Sequence, residues 1–315
     1  MSATTSHIQS QRLDGRPFDM SKVHYSPRWL SAGALVASLL FTGVRQQDGR
    51  SRKALLGAVG MTGLAGLAYS TLVEPARPRL ERVTLRLPQL PVGLAGLRIG
   101  QISDLHLGHA HTARNARWAV AELLRERPEL IVITGDLVSF ATAIADLPDL
   151  LRPLQAPLGI FAVPGNHDHW EGLPAIEKQL QPLGIEFLIN QQRLLEWRGS
   201  HFCLAGLDDL WNGNPVYAAA LAEIDAMFTI LLSHAPDSAA EAARYGVDLQ
   251  LSGHTHGGHM CLPLLGPFSL PKYGLKHAAG HEQVDAMQLY VSRGLGGMPL
   301  RFGCPPELTI FTLTH

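Results

Sequence analysis

Five short apolar runs in this chain each stop at a side chain able to hold a metal or move a proton. Residues 97–103 lead into Asp104-Leu105-His106, and 130–134 into Gly135-Asp136. Residues 160–163 run into Pro164-Gly165-Asn166-His167-Asp168, and 229–233 into His234. Residues 249–252 meet Gly253-His254-Thr255-His256-Gly257-Gly258-His259. Asp, Asn and His without Cys form a mixed oxygen and nitrogen donor set, suited to Mn, Fe or Zn and unsuited to a thiolate structural site. Asp104, His106, Asp136, Asn166, His234, His254 and His256 are too many ligands for one ion and suit two divalent ions sharing a carboxylate. Two cations roughly 3.5–4 Å apart clamp the entering and leaving oxygens of phosphoryl transfer and lower the pKa of a water between them. The chemistry that needs this arrangement is hydrolysis of a phosphate ester or anhydride. Asp104-x-His106 and His254-x-His256 place paired side chains at i and i+2, which share a face if the segment is extended.

The elements that must position these groups are strands whose carboxyl ends share one edge, where ligands bind in open α/β sheets. Further apolar runs at 83–87, 202–207, 289–292 and 308–313 predict more strands. Helical patterns fall at 112–127, where Ala116, Val120, Leu123 and Leu124 share a face, and at 214–224 and 237–245. The chain has 315 residues, 26 Lys and Arg against 27 Asp and Glu, and net charge −1. That balance lacks the basic field of a duplex-DNA binder and argues against a nuclease. Three scattered cysteines exclude a disulfide framework or a Cys-based zinc ribbon, whereas 15 histidines direct attention to metal and proton chemistry.

Residues 1–28 read as a flexible tail, 29–73 as a hydrophobic membrane anchor of one or two helices, 74–94 as a linker and first strand, and 95–315 as the catalytic domain. Within the anchor, 29–44 and 54–73 carry no charge; the second matches the roughly 20 residues needed to cross a bilayer, and the first falls just short. Gly57, Gly60, Gly63 and Gly66 offer one side of the second stretch for close helix approach. Ser51-Arg52-Lys53-Ala54-Leu55-Leu56 loosely resembles a twin-arginine export signal with Lys for the second Arg. If both stretches span, tail and catalytic domain share a side. Lys22, Arg28, Arg77, Arg79, Arg82 and Arg86 then outweigh Arg45, Arg50, Arg52 and Lys53 of the intervening loop, and place the domain on the cytoplasmic face of a bacterial inner membrane. If only the second spans, the domain faces outward.

In order and type, the five motifs resemble those of the calcineurin-like metallophosphoesterase superfamily. The surroundings (Ser103 to Gly108, Gly253 to Gly258, Ser292 to Gly296) resemble its bacterial membrane-anchored branch, with phosphodiesterases and UDP-2,3-diacylglucosamine pyrophosphatase-type lipid enzymes. The resemblance implies an α/β fold of two packed mixed β-sheets flanked by helices. It implies that Asp104, His106 and His256 hold one metal, that Asn166, His234 and His254 hold the second, and that Asp136 bridges them. It also implies that His167 donates a proton to the leaving oxygen and that Asp168 orients the His167 ring. The substrate class is a phosphodiester or pyrophosphate, lipid-linked if the anchor sets what reaches the site, with no nucleic-acid partner. The alternative is a catalytically silent metal-binding scaffold of the same fold.

Several residues carry two readings. Arg293 and Arg301 either anchor a substrate phosphate or are structural, and His109 and His111 either rim the site or have no role in it. His259 stands where a neutral polar residue is expected. The proline-rich apolar stretch 261–274 either forms a lip suited to lipid or packs on the sheet.

Overall fold

The structure, a computed structural model, describes residues 23–45, 48–222, 224 and 227–315. Two six-stranded mixed sheets pack face to face. The first runs in the order Arg79–Arg86, Glu307–Thr314, Arg98–Ile102, Leu130–Thr134, Ile160–Val163, Ile185–Phe187. Its last four strands are mutually parallel, while Glu307–Thr314 runs parallel to Arg79–Arg86 and antiparallel to Arg98–Ile102. In the second, Met287–Val291, Leu249–Ser252, Thr229–Leu232 and Ser200–Gly206 are parallel. Antiparallel hairpins to Gly280–Val284 and Gln191–Trp197 form its edges.

The unbroken apolar runs of the sequence reflect burial on both faces, as parallel strands require. In Leu130–Thr134 every residue is buried. Leu130 and Val132 face the inter-sheet core with Ile99, Phe161, Leu204, Ile230, Leu251 and Phe311. Ile131 and Ile133 face the other way, onto Ala116, Ala119, Val120 and Leu123 of the helix Ala110–Glu126. Each such aliphatic side chain contributes about 1.5–3 kcal/mol by leaving water. That helix ends where Arg127 turns left-handed, φ 50°, ahead of Pro128. Outside the second sheet, Ala239 and Ala242 of Ala239–Arg244 cover Leu231 and Leu289.

Differences from the sequence reading are local. Of the expected helix over 214–224, only Tyr217–Ala220 is helical among the described residues. The strands Ile185–Phe187, Gln191–Trp197 and Gly280–Val284 were not anticipated, being short or half-exposed edge elements with polar residues. The segment expected as a linker and first strand holds a longer strand than the run 83–87 suggested, the eight-residue edge strand Arg79–Arg86. Of the expected tail, residues 1–22 lie outside the described residues; Val23–Tyr25 forms a strand antiparallel to Ser269–Pro271. The two apolar stretches are helices, Pro27–Arg45 and Gly49–Ala68, the second running on through further helical turns to Ala76. Both are long and apolar enough to cross a membrane, and their apolar windows are 0% and 6% buried in the protein.

Candidate metal centre

The loops after the strands zip together through their backbones. Asp104, His106 and Leu107 donate their N–H groups to the carbonyls of Gly135 (3.0 Å), Asp136 (3.0 Å) and Leu137 (2.9 Å). The next loop is tied in by the Asp168 carboxylate, which accepts the N–H groups of Asp136 (2.8 Å), Leu137 (2.8 Å) and Gly165 (2.9 Å). A Cβ on Gly165 would overlap the Asp136 carboxylate, so glycine lets these loops touch. The His254 N–H lies 3.1 Å from both carboxylate oxygens of Asp104 and joins the second sheet to the first.

Asp104, His106, Asp136, His254 and His256 all have positive φ, between 46° and 75°. The paired ligands are therefore not on extended segments as the sequence suggested. Sharp left-handed turns, each costing of order 1–3 kcal/mol, aim them inward and are held by the bonds above. Such strain gathers at functional sites.

The result is two donor groups joined by a third, His106, Asp136 and His167, through which Asp136 is shared. Ligand atoms of Asp104, His106 and His256 lie within 4.8 Å of one another, as do those of Asp136, His234 and His254. Asp136 Oδ2 is 3.4 Å from His106 Nε2 and 3.3 Å from His234 Nε2, while its Oδ1 accepts the His167 N–H at 2.9 Å. Asp104 Oδ1 lies 3.5 Å from His256 Nε2 and 4.0 Å from His106 Nε2. Asn166 is buried beside them, and its Oδ1 has no hydrogen-bond partner.

The donor chemistry fits a cation. The Ser139 hydroxyl donates to the His106 carbonyl (3.4 Å), so His106 Nδ1 donates to Ser139 Oγ (3.2 Å). A bare Nε2 lone pair then faces two carboxylates. His254 donates through Nε2 to the Lys272 carbonyl at 2.8 Å and presents its Nδ1 lone pair to His234 Nε2, 3.1 Å away. His234 donates through Nδ1 to the Thr134 carbonyl at 2.8 Å. Lone pairs converging in a dry site repel unless a proton or a metal lies between them. His256 differs: Arg301 Nη2 donates to its Nδ1 at 3.0 Å and leaves the proton of the neutral ring on Nε2.

Burial sets the charges. It pulls His234 down, but the charge and hydrogen bond of Asp136 outweigh it and hold His234 well above the ordinary histidine range. Burial would raise Asp136, yet the neighbouring His234 and His167 keep it well below the usual carboxylate range. Burial pushes His254 down to about 4, helped by the charge of His234. Burial likewise pushes His167 down to about 4. The His167 ring stands edge-on to His106 at 4.6 Å between centroids, and its Nδ1 has no partner.

The structure bears on the role expected for Asp168 and on the two readings left open for Arg301 and for Arg293. Asp168 does not orient His167, because both of its oxygens are taken by backbone N–H groups and it clamps the loops instead. Arg301 does not face substrate: it is fully buried and donates to His256 Nδ1 and to the carbonyls of His256 (3.1 Å), Arg293 (2.8 Å) and Gly296 (2.6 Å). Arg293 is committed to Glu81 (2.6 Å) and Glu307, an ion-pair network below the loop. Arg301 thus fixes a candidate ligand, and Arg293 ties strands.

His259 stacks on His256, ring centroids 4.9 Å apart, and is itself half-buried. His109 and His111 stack on each other, and His111 Nε2 bonds the Gly297 carbonyl at 3.2 Å. Neither belongs to a donor group.

Sequence reasoning missed a cluster beside the site. Trp170 packs edge-on against His167 (4.6 Å) and Trp211 (5.6 Å), and Trp211 against His254 (5.8 Å). Asp208 holds the Trp211 loop by accepting from His169 Nε2 and from the Asp209 and Asn214 N–H groups, each at 2.8 Å. The signal was present: the apolar run 202–207 also stops at carboxylates, Asp208-Asp209.

Two sandwiched sheets with histidine and carboxylate donors converging at their strand ends define a phosphoester hydrolase of the metal-dependent kind. The chain belongs to the calcineurin-like phosphoesterase family, whose signature spans residues 97–258. It is 39% identical to the metallophosphoesterase YkuE of Bacillus subtilis, over 82% of this chain and 93% of that protein. It is 31% identical to the phosphodiesterase YaeI of Escherichia coli, over 84% of this chain and 99% of that one. A transmembrane protein with a metallophosphoesterase domain from Danio rerio is 31% identical over 79% of this chain and 60% of its own length.

Proposed function

We propose that the protein is a phosphodiesterase or pyrophosphatase with a two-metal centre, anchored in a bacterial inner membrane and acting on phosphoesters presented there, lipid-linked ones included. One observation carries the reading: Asp136 Oδ2 lies within 3.4 Å of a histidine from each donor group. Asp104, His106 and, once its Nε2 gives up the proton that Arg301 leaves there, His256 would hold one divalent ion, Asn166, His234 and His254 the other, and Asp136 both. When bound, such ions neutralise phosphoryl oxygens and supply an activated water at neutral pH.

The chain's own residues do the rest. His106 and His254 are held in the ligating tautomer by Ser139 and the Lys272 carbonyl. His167 is neutral at pH 7 in the free chain, its pKa being about 4. An anionic phosphoester beside it raises that value, and the ring then holds a proton for the departing oxygen. Trp170 and Trp211 wall the side next to His167 and His254. The paired helices, and the likeness to a transmembrane relative, support the anchor. The excess of Lys and Arg in the flanks over the loop supports a catalytic domain on the cytoplasmic face.

The test is turnover of a chromogenic phosphodiester by the purified full chain with added Mn²⁺. Asp136→Ala and His167→Ala are each expected to lower kcat by about 100-fold or more. Turnover that is metal-independent, or that survives both substitutions, refutes the reading. A chain that binds metal with no turnover on esters, diesters or pyrophosphates, lipid-bearing or soluble, is a scaffold.

A further inference from the structure

The stretch 261–274, which follows directly on the metal loop, ends in an unusual tip. Cys261–Leu262 pairs with Gly266–Pro267 as a small hairpin, and its turn carries Leu264 with φ 72° and 95% of its surface exposed. A left-handed turn favours Gly or Asn, and an exposed leucine gains nothing from the fold. Leu264 bears both costs with almost no cover from the described residues.

The surroundings identify what covers it. Beside the tip begins the first apolar helix: Trp29 Nε1 donates to the Gly266 carbonyl at 3.0 Å, the Ser26 N–H donates to the Phe268 carbonyl at 2.8 Å, and Tyr25 and Trp29 pack edge-on against Phe268. Across the lip ends the second: Tyr69 packs on Phe302, and the Arg301 N–H donates to the Ser70 carbonyl at 2.8 Å. Both ends of the helical pair are thus fastened to the catalytic domain, so the two helices run out and back, as a pair crossing a bilayer twice would. Trp29 and Tyr69 stand at the same end of that pair, where aromatic side chains mark the headgroup level. Leu264 is two residues from Gly266, whose carbonyl Trp29 bonds, and so stands near that level. The lip also reaches the site, since the Lys272 carbonyl accepts from His254.

We propose that the turn 262–266 is a membrane-dipping lip, its Leu264 and Leu265 lodged at the boundary of headgroups and acyl chains, holding the mouth of the metal cleft on the bilayer surface. The partner is the lipid bilayer itself. This surface follows from the anchor and the turn and does not depend on the hydrolytic reading.

The test uses the full chain reconstituted in phosphatidylcholine–phosphatidylglycerol vesicles. Leu264→Cys is placed in a Cys261→Ser background, where the remaining Cys203 and Cys304 are buried, and is labelled with an environment-sensitive fluorophore. Val92→Cys is the reference: it is 83% exposed and follows the strand Arg79–Arg86. Those eight residues carry the chain roughly 25 Å from the anchor's end. A nitroxide lipid labelled at a shallow acyl position is expected to quench the Leu264 label about twofold or more and to leave the Val92 label unquenched, as burial ~5–10 Å into the interface requires. Equal, water-like emission from both labels overturns the proposal. A blue-shifted Leu264 label that the nitroxide lipid does not quench also overturns it and assigns the lip to a protein partner.

Discussion

Replacing Asp168 by Asn separates two roles for this carboxylate that make opposite predictions. In the structure its oxygens accept three backbone N–H groups, from Asp136, Leu137 and Gly165. Asn keeps one acceptor oxygen and turns an amide N–H toward at least one of those donors. Burial and the Asp136 charge raise Asp168 to about 7, so the bond lost counts as an ordinary one of about 0.5–1.5 kcal/mol, and a buried N–H is left unpaired at about 1–3 kcal/mol more. The expected loss is about 3 kcal/mol, which for a domain of this size lowers Tm by roughly 6–12 °C. Because the same N–H groups shape the turn that presents Asp136, metal affinity falls as well. Urea unfolding of the metal-free chain and calorimetric Mn²⁺ titration measure both. A variant with unchanged stability and metal binding, but a displaced pH–rate profile, would restore the role of orienting His167 and refute the clamp.

Metal uptake should release protons, because Asp136 holds His234 protonated in the metal-free chain. For one displaced proton, affinity falls about tenfold per pH unit below the His234 pKa, measurable by titration in buffers of different ionisation enthalpy; a pH-independent affinity contradicts the assignment. Arg301→Met removes the donor to the carbonyls of His256, Arg293 and Gly296 and should cost about 3 kcal/mol or more in urea unfolding; unchanged stability with a raised KM would return Arg301 to substrate binding. The His169–Asp208 pair has a pH window. Its hydrogen bond to Asp208 raises His169, so that contribution is full below about pH 6.5 and fades as pH climbs through the raised value. Asp208 is lowered despite burial because His169 and backbone N–H groups outweigh it, so its contribution is present above about pH 4 and lost as pH falls. His169→Ala should therefore cost about 1–3 kcal/mol near pH 5.5 and less near pH 9, read from unfolding at both.

Much of this was legible along the chain. The strands Leu130–Thr134, Ile160–Val163 and Leu249–Ser252 coincide with their apolar runs, because a strand buried on both faces must be apolar throughout. The donor residues were legible for a related reason: each follows its strand directly, and parallel strands bring their carboxyl ends to one edge. Residue type and local order alone therefore determined the class of chemistry.

What the tertiary structure decided depends on partners far away in sequence. Asp168 and Arg301 carry the residue types of a catalytic carboxylate and a phosphate anchor, yet backbone groups about thirty and forty-five positions away occupy them. The inward aim of Asp104, His106, Asp136, His254 and His256 comes from left-handed turns that no spacing rule encodes, held by bonds between neighbouring loops. The pairing of Val23–Tyr25 with Ser269–Pro271 joins ends of the chain that share no local pattern, and it places the anchor beside the metal loop. Local order sets which groups a segment offers; only the closed fold determines which are already bonded and which remain free for chemistry.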